Sequence, residues 1–177
     1  MLYTGKGDKG TTTTFGCNQQ RISKSSELPE ALGSLDELNA FLGFVKMRSV
    51  ESPRIATAIR GIQENLFIIQ AETAGADKRL KRGTAEAVGK MVNDVEKEIP
   101  LIKGFSISGG TELSSLLDMA RTFARRAERR LIAVKEMNLR DLSPETISYM
   151  NRISSLLFAL ARLANHLAGV KEENPKY

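Results

Sequence analysis

Leu35, Leu38, Leu42 and Val45 fall on one face of any helix that contains them, and this three-and-four spacing governs most of the chain. It returns as Ala120, Ala124, Ala127 and Leu131, and again as Met150, Ile153, Leu157 and Leu160. No segment shows the alternation expected of a half-buried strand. The first helix is expected from about Pro29 to Arg48. Ser52 followed by Pro53 is a cap with proline at the first helical position, opening a second helix to about Ala74. A basic linker, Asp77–Gly83, follows and reads as a solvated connection rather than a phosphate site. Thr84 is expected to cap a third helix ending near Pro100. The loop Leu101–Gly110 leads into a fourth, from about Glu112 to Met137. Ser143, Pro144 and Glu145 open a fifth, and Gly169 is placed to stop it. Five amphipathic helices with short connections imply an all-α, five-helix antiparallel bundle. The 177 residues are expected to form one domain, with a leader (1–26), the bundle (27–170) and a frayed tail (171–177).

Composition narrows the function. Lys+Arg 26 against Asp+Glu 21 gives a net charge of +5, a mild excess that suits an anionic ligand. The excess is too diffuse for nucleic acid, and no aromatic-rich basic stretch supports that partner. No run approaches the roughly 18 apolar residues of a membrane span, and the start lacks a secretory apolar core. Cys17 is the only cysteine, so an intramolecular disulfide is excluded and a reducing, cytoplasmic setting fits. His166 is the only histidine and reads as a surface or helix-end residue. With one His and one Cys, histidine-based triads and zinc hydrolysis are poorly supported, and no protein metal site is expected.

The leader carries a different signal. Gly5, Gly7 and Gly10 stand among Lys6, Lys9 and the hydroxyls of Thr4 and Thr11–Thr14. Glycine lets backbone N–H groups converge on an anion, lysine adds charge, and threonine donates hydrogen bonds. That combination suits a polyphosphate; the alternative is a flexible basic N-terminus. The glycines spell G-x-G-x-x-G, yet only four residues precede Gly5 and a threonine run follows Gly10. A dinucleotide fingerprint needs a strand before and a helix after, so it fails.

The fourth helix holds the densest charge. Arg121, Arg125 and Arg129 recur every four residues and form one ridge beside the alanine stripe. Like charges so spaced repel unless an anion meets them; a solvated or salt-bridged surface is the alternative. Asp36 lies with Gly33, Ala40 and Gly43 on the small-residue side of the first helix. It is expected to be partly enclosed and paired with the arginine ridge. Asn151 beside the fifth helix's stripe suits either a nucleotide or an interhelical contact. Phe105, in a glycine-flanked loop, is either a core plug or a ligand contact. The set suits positioning and electrostatics on a nucleotide phosphate, with the nucleophile brought by the other substrate.

Thr4–Gly10, Asp36–Asn39, Ser108–Thr111, Ala120–Thr122, Arg125–Arg129 and Asn151–Ser154 occur in an order and spacing that resemble the PduO-type ATP:cob(I)alamin adenosyltransferases. The resemblance runs from about Tyr3 to Ala168. It implies a homotrimer with active sites between subunits, in which the 5′-deoxyadenosyl group of ATP passes to reduced cobalamin. By resemblance, Thr4, Gly5, Lys6, Gly7, Asp8, Thr12, Thr13 and Lys24 would hold the triphosphate with magnesium. Arg125, Arg126, Glu128, Arg129 and Asn151 would line the ATP site. Asp36 and Arg121 match a salt-bridged pair near the corrin, and Phe105 matches an aromatic that disfavours the lower axial ligand of cobalt. A reductase and an adenosylcobalamin-dependent enzyme would be partners. The alternative is a non-catalytic nucleotide- or corrinoid-binding bundle that delivers cofactor. Ser155 departs from the aspartate many members carry, and Gly16–Ser23 reads as longer than usual.

Overall fold

The structure, a computed structural model, describes residues 3–17, 20–102 and 104–176. Met1, Leu2 and the Cys17 side chain, on which parts of the sequence reading fall, lie outside the described residues. Among the described residues five helices form the body: α1 (Glu27–Arg48), α2 (Pro53–Ala74), α3 (Thr84–Glu96), α4 (Glu112–Glu136) and α5 (Pro144–Leu167). The leader adds what the sequence did not announce, a two-residue antiparallel ladder of β1 (Thr11–Thr12) with β2 (Ile22–Ser23) and a 3-10 turn at Phe15–Cys17.

Boundaries follow the local chemistry. α1 begins two residues earlier than expected because a proline in the first turn costs no hydrogen bond, and Glu30 N closes that turn on Ser26 O at 3.2 Å. α3 starts differently from its expected cap. Gly83 occupies the cap position, and Thr84 is already helical, its hydroxyl donating back to Lys81 O at 2.6 Å. α3 also stops at Glu96, short of Pro100, whose preceding residue Ile99 is steered out of helical geometry. Ser143 caps α5, its side chain accepting from Thr146 N at 3.3 Å.

Two buried or half-buried acids tie one helix to the start of another. Glu72 on α2 is 2 % exposed and accepts from Ser143 N at 2.6 Å and Thr146 Oγ1 at 2.5 Å, with Arg79 Nε at 3.4 Å. Glu145 on α5 accepts from Ala85 N at 2.8 Å, so its charge serves the N-terminus of α3, where backbone donors lack helical partners.

α4 packs between α1 and α5, while α2 rests on α1 and α3 on α5. Arg48–Glu112 at one end and Arg130–Glu27 at the other show that α1 and α4 run antiparallel. α3 and α5 instead run parallel: Ala85 meets Glu145 at their starts, and Arg162 donates to Pro100 O near their ends. The stripe residues Leu35, Leu38, Leu42, Ala120, Ala124, Ala127, Leu131, Ile153 and Leu157 are all fully buried. Three buried alanines let α1 and α5 approach α4 closely, which leaves the α4 arginines on the margins of the packed face.

Candidate active site

The leader folds back on itself before α1. Asp8 N donates to Gly5 O at 3.2 Å, Gly10 N to Gly7 O at 3.1 Å, and Lys24 N to Gly10 O at 2.9 Å. Gly7 lies against the Lys24 side chain: a methyl built on Gly7 would sit 3.0 Å from Lys24 Nζ. Lys6 N approaches Thr4 Oγ1 at 3.4 Å, and Thr12 Oγ1 donates to Thr13 O at 3.5 Å. Thr4, Lys6, Asp8, Thr13 and Lys24 are exposed, while Gly5, Gly7 and Thr12 are half-buried. The leader is therefore a shaped turn that presents exposed basic and hydroxyl groups.

The arginines of α4 divide into those with an ion pair and those with none among the described residues. Arg121 Nε stands 3.4 Å from Asp118 Oδ1, with its guanidinium 5.8 Å from the Phe158 ring centre. Arg126 is engaged by Glu37 and lies over Phe123 at 5.0 Å, and Arg130 meets Glu27 and Glu30, each at 3.5 Å. Arg125 and Arg129 are exposed and take no ion pair among the described residues. Glu128, between Arg125 and Arg129 in sequence, accepts at Oε1 from Asn151 Nδ2 at 3.2 Å, the interhelical contact that was one of the two readings of Asn151.

A cleft of about 550 Å³ opens beside this row, lined by Phe105, Ser108, Arg121, Arg125, Ser155 and Phe158 among others. Phe105 is 77 % exposed, so it does not plug the core. The Ser108–Thr111 turn is held against α5 and α4. Asn165 Oδ1 accepts from Thr111 N at 2.9 Å, and Gly109 N donates to Asp118 Oδ2 at 3.3 Å. A methyl on Gly110 would collide with the Asn165 side-chain amide, so the position has room only for glycine. Asp118 thus links the turn to Arg121. Sequence reasoning missed it, although its place three residues before Arg121 was the available signal.

Two expectations need correction. Asp36 is exposed and unpaired among the described residues, and Arg121 takes Asp118 instead. The reason is that, among the described residues, no helix of the same chain covers the Gly33 and Ala40 face, where a methyl on Gly33 would meet nothing within 4 Å. The tail is also more than a frayed end. Arg162, 8 % exposed, donates to both carboxylate oxygens of Glu172, at 2.7 and 2.9 Å, and Ile107 N donates to Glu173 O at 2.8 Å. The tail therefore holds the loop that presents Phe105. His166 is exposed near the end of α5, as its sequence position implied. No hydrogen bond or ion pair among the described residues joins the leader's residues 4–13 to Arg121, Arg125 or Arg129 of the same chain.

The fold and these groups define a helical bundle bearing a glycine-, lysine- and threonine-rich leader and an arginine-lined, aromatic-flanked cleft. The sequence profile of the family described as Cobalamin adenosyltransferase matches residues 2–164, and the chain belongs to that family. It is 33 % identical over 176 residues to the corrinoid adenosyltransferase of Bacillus subtilis (strain 168), covering 96 % of this chain and 89 % of that protein. It is 35 % identical over 173 residues to the corrinoid adenosyltransferase PduO of Citrobacter freundii, covering 93 % of this chain but spanning only 50 % of that protein. A variant PduO-type ATP:corrinoid adenosyltransferase from Lactobacillus reuteri, solved with cobalamin and ATP, superposes with a TM-score of 0.90 at 28 % identity. That match covers 99 % of this chain and 97 % of that one.

Proposed function

We propose that this chain transfers the 5′-deoxyadenosyl group of ATP to the cobalt of reduced cobalamin and releases triphosphate. The observation that carries this reading is the meeting of Phe105, Arg121 and Arg125 around one cleft, with the Glu128–Asn151 pair and the exposed Arg129 on the same helix pair. The Lactobacillus reuteri relative, solved with both molecules, supports the same pair of ligands here.

In this reaction the cobalt(I) electron pair forms the Co–C bond while the C5′–O bond breaks, and triphosphate leaves with that bond's electrons. The protein supplies no nucleophile, which suits a site of guanidinium, ammonium, amide and hydroxyl groups. Its work is to hold the nucleotide in line and to neutralise charge that grows on the departing triphosphate. Thr4, Gly5, Lys6, Gly7, Asp8, Thr12, Thr13 and Lys24 take the triphosphate end, and Mg²⁺ arrives as part of the MgATP substrate. Arg125, Arg126, Glu128, Arg129 and Asn151 take the nucleotide along α4 and α5. Phe105 crowds the lower face of cobalt, and loss of the axial donor eases reduction of cobalt(II).

The assembly we infer is a homotrimer with sites between copies. An uncovered face on α1 bearing Asp36, Gly33 and Ala40, with Phe44 and Met47 (72 % exposed) further along the helix, supports contact with a second copy. In that arrangement Asp36 of one copy approaches Arg121 of another, and the leader of one meets the arginine row of the next. A reductase and an adenosylcobalamin-dependent enzyme in the cytoplasm are the partners this activity calls for.

Anaerobic incubation with MgATP, cobalamin and a chemical reductant tests the reaction. A light-sensitive Co–C product with one triphosphate released per product is expected. Binding of both ligands with neither product nor triphosphate would assign the chain to cofactor delivery instead. Light scattering tests the trimer.

A further inference from the structure

Arg21, immediately before β2, grips the leader at three points. Its Nε donates to Thr11 Oγ1 at 2.7 Å, and one terminal nitrogen donates to the carbonyls of Lys6 at 2.5 Å and Thr11 at 2.6 Å. The guanidinium thus spans both limbs of the turn that contains Gly7 and Gly10. Its planar fork engages acceptors that a lysine ammonium, a single point of charge, would not span together.

The consequence is directional. In a trans peptide the C=O and N–H point opposite ways. With the Lys6 carbonyl turned to Arg21, the Gly7 N–H is turned away from it, and that N–H has no partner among the described residues. The Lys24 side chain, which the β1–β2 ladder and the Lys24 N–Gly10 O bond bring alongside, lies next to Gly7. A free backbone donor and a nearby ammonium make an anion seat, while the carbonyls that would repel an anion are occupied.

We propose that Arg21 is a positioning residue for the triphosphate: it holds the turn of residues 5–11 in its anion-binding shape without itself touching the anion. This rests on the nucleotide reading of the leader. Presetting the turn moves its ordering cost from ligand binding to folding, so the benefit falls on affinity. It leaves the chemical step to the α4 arginines.

The test has an arm without ligand and an arm with it. In the free full-length protein, Arg21→Ala is expected to speed hydrogen exchange at the Gly10 and Lys24 amides and to leave helical amides unchanged. Unchanged protection at those two amides overturns the proposal. In the second arm, MgATP is titrated by calorimetry and turnover is measured with cobalamin. Arg21→Ala is expected to raise the Kd and KM for MgATP about tenfold, the scale of a lost ordering contribution. The kcat at saturating MgATP is expected to stay within about twofold, since only binding before the chemical step is weakened. Arg21→Lys should recover little of the affinity. Thr11→Val removes one acceptor and leaves the charge in place, so it should weaken MgATP in the same direction, and the double variant should fall short of additivity. A lower kcat with unchanged KM, or a Thr11→Val variant with wild-type affinity, overturns the positioning role in favour of direct contact with the anion. An unaltered protein that binds no MgATP overturns the nucleotide reading itself, on which the proposal rests.

Discussion

Gly16 and Gly75 meet backbone to backbone: a methyl built on Gly75 would stand 2.7 Å from the Gly16 Cα. Through this contact the leader docks on the C-terminal end of α2, where Gly75 closes the helix with φ of 100° and its N–H on Glu72 O at 3.0 Å. Thr14 adds a second link there, accepting from Arg140 at 3.2 Å.

Gly75→Ala therefore meets two penalties, left-handed strain and collision with the leader. Strain alone costs about 1–2 kcal/mol, and the collision adds to it. Melting temperature should fall by roughly 4–8 °C for a total near 2 kcal/mol in a chain of this size. Gly83→Ala has a similar positive φ but open space around it, so it should lower stability less and leave nucleotide affinity alone. Equal effects of the two on MgATP binding would remove the docking contact from the site.

Arg125→Ala should lower kcat/KM by roughly 30- to 1,000-fold, the scale of about 2–4 kcal/mol for a preorganised charge donor. Arg126, already engaged by Glu37 and Phe123, is the informative comparison. Its alanine variant should lose less activity, and stability by no more than about 1 kcal/mol, as exposed ion pairs do. Steady-state kinetics of both variants under anaerobic conditions check this ranking.

Phe105→Ala should slow the reaction from cobalt(II) far more than the reaction from pre-reduced cobalt(I). The ring's role lies in disfavouring the axial ligand before reduction, which a pre-reduced substrate bypasses. Parallel assays with the two oxidation states decide it, and equal slowing would defeat the axial-ligand role.

Tyr149 supplies a pH test of the core. Burial pushes its phenol up to about 12, partly opposed by the Asn65 amide, which donates to its oxygen at 3.1 Å. The folded state keeps the neutral phenol while the unfolded chain ionises near 10. This contribution is thus complete below pH 10 and is lost as pH rises from 10 to 12, on the order of 2 kcal/mol in all. Tyr149→Phe should flatten that part of the stability–pH curve. Urea titrations between pH 9 and 12 measure it.

Helix positions and the alanine stripe were legible in the sequence because a period near 3.6 is a local property, and Leu35, Ala124 and Leu157 are all buried as that period requires. The option of an interhelical contact at Asn151 was legible too, but its partner Glu128 was not. What the sequence left hidden are pairings set by distant geometry. Arg21 reaches Lys6 O across fifteen positions, Glu72 serves the start of α5, and Arg162 takes Glu172 from a segment that looked unstructured. Asp36 misled because a small-residue face promises a neighbour without saying whether that neighbour belongs to the same chain.

The strap of residues 172–173 has a wider consequence. Because Glu172 and Glu173 moor the stretch carrying Phe105, the freedom of that ring is governed from far along the polypeptide. Sequence drift at Glu172, whose carboxylate takes Arg162, would retune how firmly an aromatic wall stands, with every charged group on α4 left as it is; Glu173 acts through its backbone carbonyl.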